Sequence, residues 1–162
     1  MKKFKRILAT TDMSPESFSA VSYAGHLARA QAARLTVLHV AHSTVVMFTE
    51  FMPAIDMTAI DAEIEDAARN SLDGWIRRHL RKLGDVELMV RRGLVPETIC
   101  EAAHETDASV IVMATHGRTG VGRMVLGSVT EKVLARSPCP VLVVRPPEPS
   151  VSAVAATGKR KR

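Results

Sequence analysis

The stretch Arg6-Ile7-Leu8-Ala9-Thr10-Thr11-Asp12-Met13-Ser14-Pro15 decides the fold. Its apolar run turns polar at Thr10–Asp12, as a buried parallel strand does where it ends. Ser14 then offers a hydroxyl to a helix N-terminus, and Pro15 suits the first helical position. Phe18, Val21, Ala24, Leu27 and Ala28 follow at helical spacing. Leu35-Thr36-Val37-Leu38-His39-Val40 is apolar enough to be buried on both faces. The chain therefore opens strand–helix–strand.

The alternation continues outward from there. Residues 42–56 are less regular, with Val45, Val46, Met47, Phe48, Phe51 and Met52 crowded into an apolar loop over 45–52. A long helix is expected from about Met57 to Leu83, its core face formed by Ile60, Ile64, Ala68, Leu72, Trp75, Ile76 and Leu80. Its acidic beginning and basic end suit the helix dipole. Val86–Val90 alternates like a half-buried edge strand, which Arg91-Arg92-Gly93 ends at the surface. Pro96 starts a third helix, Ser109–Met113 is a fourth strand, and a glycine-bearing loop spans 114–127. A fourth helix covers about 128–136, and Val141–Val144 is a fifth strand. The class is α/β: a doubly wound, Rossmann-like open sheet of five parallel strands flanked by helices. Residues 1–145 read as one domain and 146–162 as a disordered basic tail. In such sheets ligands bind beyond the carboxyl ends of the strands, near the switch in strand order. Thr10–Ser14, Val40–His42 and Met113–Gly127 are expected to converge there.

Composition narrows the function classes. The chain has 162 residues, 46% of them apolar and 24% charged, which supports one packed domain. No apolar run approaches the roughly 20 residues that cross a bilayer, and no leader precedes the first strand, so a soluble cytoplasmic protein without membrane association is expected. A net charge of +5 and a pI near 9.6 invite a nucleic-acid partner. The distribution argues otherwise. Residues 1–6 carry +4 and residues 146–162 carry +3, whereas 7–145 hold 14 basic against 16 acidic residues. Any nucleic-acid binding would have to work through the two ends. Two cysteines, Cys100 and Cys139, are too few for a disulfide scaffold, and His39 and His42 fall on opposite faces of a strand. No metal set and no Ser/His/Asp ordering of a hydrolase emerges.

The chemistry lies in the loop after the fourth strand. Ala114-Thr115-His116-Gly117-Arg118-Thr119-Gly120-Val121-Gly122-Arg123-Met124-Val125-Leu126-Gly127-Ser128 follows a strand and opens a helix. Its glycines let backbone N–H groups turn toward a ligand. Ser128-Val129-Thr130-Glu131 fits a capping box, and a helix start with free amides is a phosphate site in kind. The loop is neither a Walker A sequence nor G-x-G-x-x-G.

Thr10-Thr11-Asp12-Met13-Ser14, Val37-Leu38-His39-Val40, Thr115-His116-Gly117-Arg118-Thr119-Gly120, Leu126-Gly127-Ser128-Val129-Thr130-Glu131 and Ser137-Pro138-Cys139-Pro140-Val141-Leu142-Val143-Val144 together resemble the universal stress protein family. The resemblance runs in order over about residues 4–145. The family's nucleotide-binding branch carries G-x2-G-x9-G-[ST]; Gly117 and Gly127-Ser128 match it, whereas Ala114 replaces the first glycine. The resemblance implies an ATP-binding stress-response protein, a nucleotide-dependent regulator or adaptor; no general base with a clear partner is visible, so any ATP hydrolysis is expected to be slow. Asp12 looks like the acidic residue beside the adenosine, with Thr10 and Thr11 lining the pocket. Val40 looks like the residue whose backbone reads the adenine edge. Met113, Ala114, Thr115, His116, Gly117, Arg118 and Gly120 would pass along the ribose and phosphates, and Gly127, Ser128 and Val129 would hold the phosphate tail. Arg118 and Arg123 could add charge-assisted contacts. Mg²⁺ is expected to accompany ATP through its phosphates. A homodimer is implied, with Val141, Leu142, Val143 and Val144 as an edge for pairing. The competing reading is a dimeric interaction protein of the same fold that has lost the nucleotide, with Ala114 as its sign.

Overall fold

The computed structural model describes residues 3–41, 57–79, 86–115 and 126–145. Among the described residues five strands and four helices alternate: β1 (Arg6–Thr10), α1 (Pro15–Gln31), β2 (Arg34–Ala41), α2 (Met57–His79), β3 (Val86–Arg92), α3 (Val95–Glu105), β4 (Val110–Ala114), α4 (Ser128–Arg136) and β5 (Val141–Val144). All strands pair in parallel, in the order β3-β2-β1-β4-β5. The chain winds outward from β1 through β2 to β3, returns to lay β4 on the other side of β1, and ends on β5. That is the doubly wound sheet expected, and its strand order reverses between β1 and β4.

Strand alternation divides the core in two. Ile7, Ala9, Val37, Val110, Val112 and Ala114 face Ala20, Val21 and Ala24 of α1 and Leu72 and Trp75 of α2. The Phe18 ring meets the Trp75 indole edge-on, with centroids 6.1 Å apart, an arrangement that favours the ring quadrupoles. Leu8, Leu38, Ile111 and Met113 point the other way, onto Ile99, Ala102 and Ala103 of α3 and Val133 of α4. β1 and β4 are therefore apolar on both faces because helices cover both.

The elements fall close to their expected places, with informative shifts. Ser14 is the N-cap of α1 and Pro15 its first residue. β3 is an edge strand, as its alternation suggested, and continues through Arg91 and Arg92, where Arg91 reaches Glu105. β4 starts and ends one residue later than the apolar run implied, so Ala114 belongs to the strand and not to the loop. Its pairing with Val144 of β5 carries the ladder that far. Leu72 and Trp75 are buried on α2, while Ile64, Ala68 and Ile76 are partly covered. The side chains of Ile60 and Leu80, the apolar 45–52 loop, residues 80–85 and the basic tail lie outside the described residues. Among the described residues no helix is long and apolar enough to cross a membrane.

Candidate functional site

The β1–α1 turn is built from its own side chains. The Ser14 hydroxyl accepts from the Ser17 amide (3.2 Å) and donates to Asp12 Oδ1, which also accepts from the Ser14 amide at 3.0 Å. Asp12 does not itself cap the helix. Ser14 does that, and Asp12 orients Ser14. Thr11 is buried; its Oγ1 accepts from the Met13 amide (2.9 Å) and shares a hydrogen with Ser17 Oγ (2.8 Å). These bonds hold Met13 at φ 61°, a left-handed conformation that a non-glycine residue adopts only when its surroundings impose it.

Two bonds tie this turn to β2. The Thr11 amide donates to Leu38 O at 2.9 Å, one step beyond the last β1–β2 pair. His39 Nδ1 lies 2.9 Å from Thr11 O. Sequence discounted His39 because no metal set formed around it. Its actual partner is a carbonyl 28 residues away, which periodicity cannot reveal.

The second wall is the end of β4. The Thr115 amide donates to Val144 O (3.1 Å), and the Gly127 amide donates to Thr115 O (2.8 Å), which brings the start of α4 beside the strand it follows. Thr130, buried on α4, donates its hydroxyl to Ala114 O at 3.1 Å. The expected capping box is not formed. Gly127, with φ −65° and ψ 147°, takes the N-cap position, and among the described residues no side chain caps α4. Ser128 is consequently the first helical residue and exposed. A capping box needs the hydroxyl residue in the extended cap conformation, and here glycine occupies that place.

Thr10, Thr11, Asp12, Met113, Ala114, Thr115, Gly127, Ser128 and Val129 thus gather at the carboxyl ends of two paired strands, whose axes run about 4.8 Å apart. Val40 lies near the end of β2, opposite Arg91 of β3, and packs against the α3–α4 side of the core. His116, Gly117, Arg118, Gly120 and Arg123 lie outside the described residues. The start of α4 directs amide N–H groups and the positive end of the helix dipole toward this edge. Ala114, which replaces the motif's first glycine, is 8% exposed, and its methyl packs in the cluster under α1 and α2.

Comparison with known proteins places this arrangement in a family. The model of the universal stress protein family matches residues 3–145. Universal stress protein YxiE of Bacillus subtilis is 32% identical over 147 residues, covering 88% of this chain and 99% of its own. The solved structure of MJ0577, a universal stress protein of Methanocaldococcus jannaschii, superposes with a TM-score of 0.74 at 26% identity, over 91% of this chain and all of that one. A universal stress protein solved in complex with cAMP gives 0.57 at 26% identity, over 88% and 98% of the two chains. The signature residues, the strand order and the matched span agree, and the chain belongs to the universal stress protein family.

Proposed function

We propose that this protein binds an adenine nucleotide, ATP above all, over the β1–β4 switch, and serves in the cytoplasm as a nucleotide-dependent regulator or adaptor of a stress response. The observation that carries the reading is the start of α4: Gly127 and Thr130 fasten it to the end of β4, and among the described residues no side chain caps it. Such a helix start is suited to phosphate. A carboxylate held on the neighbouring strand's turn is suited to ribose hydroxyls. In this reading Asp12 takes the ribose, Thr10 and Thr11 line the pocket, and the Val40 backbone reads the adenine edge. Met113 to Gly120 follow the ribose and phosphates, Gly127, Ser128 and Val129 hold the phosphate tail, and Arg118 and Arg123 add charge. Mg²⁺ arrives on the phosphates. The relative solved with cAMP supports a nucleotide of this class.

β5 is the outer strand beside β4, and all four of its residues are half-buried. We infer that a second copy pairs with Val141–Val144 across a two-fold axis. The same fold acting without nucleotide drew its support from Ala114, whose methyl lies in the buried cluster below the edge. Two measurements test the nucleotide reading together: mass spectrometry of the purified protein for co-purified nucleotide, and melting with added ATP. At 100 times Kd the stabilisation is about 2.7 kcal/mol, a rise of roughly 5–10 °C for a chain of this size. No bound nucleotide and no rise would sink the reading.

A further inference from the structure

His39 holds the carbonyl of Thr11, and that contact assigns a proton. A backbone carbonyl only accepts, so Nδ1, 2.9 Å from Thr11 O, must donate. The neutral ring is therefore the Nδ1–H tautomer, with Nε2 unprotonated. The need for the bond follows from the ladder. β1 pairs with β2 only as far as Thr10 opposite Leu38, so the Thr11 carbonyl points past the last strand pair. Thr11 is buried, at 6% exposure, and a buried carbonyl without a partner is costly.

The bond reaches further than one carbonyl. Thr11 supplies the hydroxyl that accepts from the Met13 amide, Met13 sits at φ 61°, and the next residue is the Ser14 cap that Asp12 orients. The turn is fastened to α1 through Ser14 and Ser17. To β2 it is fastened through the Thr11 amide and through His39. His39 supplies the second of those β2 bonds from a side chain, where mutation can remove it without breaking the strand ladder.

We propose that His39 is the positioning residue of the nucleotide site: by donating Nδ1–H to Thr11 O it fixes the turn that aims Asp12 at the ribose. The proposal rests on the nucleotide reading above and adds a residue outside the family's G-x2-G-x9-G-[ST] signature. It makes a specific demand on substitutions. Asparagine places an amide N–H close to where Nδ1 stands, whereas phenylalanine keeps the ring and loses the donor.

The test measures ATP affinity by calorimetry for the wild-type chain, His39→Asn and His39→Phe, each checked by circular dichroism for equal folded content. ¹⁵N NMR of the imidazole reads the tautomer without any nucleotide. The expected results are an Nδ1–H tautomer, affinity about three- to tenfold weaker in His39→Phe, as for the loss of one hydrogen bond, and affinity within twofold of wild type in His39→Asn. If His39→Phe melts lower yet binds ATP as tightly as wild type, the residue is structural only and the proposal fails while the nucleotide reading stands. An Nε2–H tautomer with bare Nδ1 overturns it independently of ligand. If the wild-type chain itself binds no ATP, the nucleotide reading fails and this proposal with it.

Discussion

Replacing Ala114 by glycine restores the first glycine of the family's nucleotide signature, and intuition from sequence says that binding should improve. The structure argues for a different outcome. Ala114 is the last residue of β4, paired with Val144, and its methyl is packed with Ile7, Ala9 and the α1 helix. Removing one buried methyl group costs about 0.8 kcal/mol. Glycine in a strand adds about 0.5–1 kcal/mol of backbone entropy. The total, near 1.5 kcal/mol, lowers the melting temperature by roughly 3–6 °C in a domain of this size. What Ala114 offers the site edge is its carbonyl, already engaged by Thr130 Oγ1, and glycine keeps that. ATP affinity should therefore stay within about twofold of wild type, while the unliganded protein melts several degrees lower. Differential scanning fluorimetry and calorimetry on the same preparation read both quantities. An Ala114→Gly protein that binds ATP ten times more tightly would refute the reasoning, because the methyl would then be obstructing the ligand.

Ser14→Ala removes both the α1 cap and the hydroxyl that Asp12 accepts; chemical denaturation should show a loss of about 1 kcal/mol, and calorimetry a weaker ATP complex. Leu72→Ala empties a fully buried site between α2 and the sheet, so urea denaturation should register about 2–5 kcal/mol without a matching change in the affinity of the folded protein. Burial pushes the Cys100 thiol above its ordinary value, with Arg136 opposing. A raised thiol pKa in the native state means that the unfolded chain releases its proton first, so this contribution is present below the unfolded thiol's pKa and lost as pH climbs through the native value. Melting curves across that alkaline range should fall more steeply for wild type than for Cys100→Ser; parallel curves would contradict the assignment.

The parts legible in the sequence were those written locally. Arg6–Thr10 turning polar before Ser14-Pro15 announces strand, turn and helix within ten residues, and β1 and α1 form there. Val141–Val144 and the span of α4 were equally plain. What the sequence obscured depends on partners far along the chain. Ala114 reads as loop because alanine has weak preference, and its pairing with Val144 makes it strand. Ser128 reads as a cap because serine favours that position, yet Gly127 adopts the cap dihedrals and displaces it by one residue. His39 and Thr130 are polar residues on otherwise apolar strand and helix faces. Strand alternation gives the facing of His39 and helical spacing that of Thr130, but only the folded sheet shows that each meets a carbonyl at a strand end.

The central claim is that an adenine nucleotide sits over the β1–β4 switch against the start of α4. An NMR titration of the ¹⁵N-labelled chain with ATP tests both occupancy and place. The account predicts saturable shifts at the amides of Thr11–Ser14, Thr115 and Gly127–Thr130, with the opposite end of the sheet, around Arg6, Arg34 and Glu87, unmoved. An unchanged spectrum, or shifts gathered at that opposite end, would contradict it.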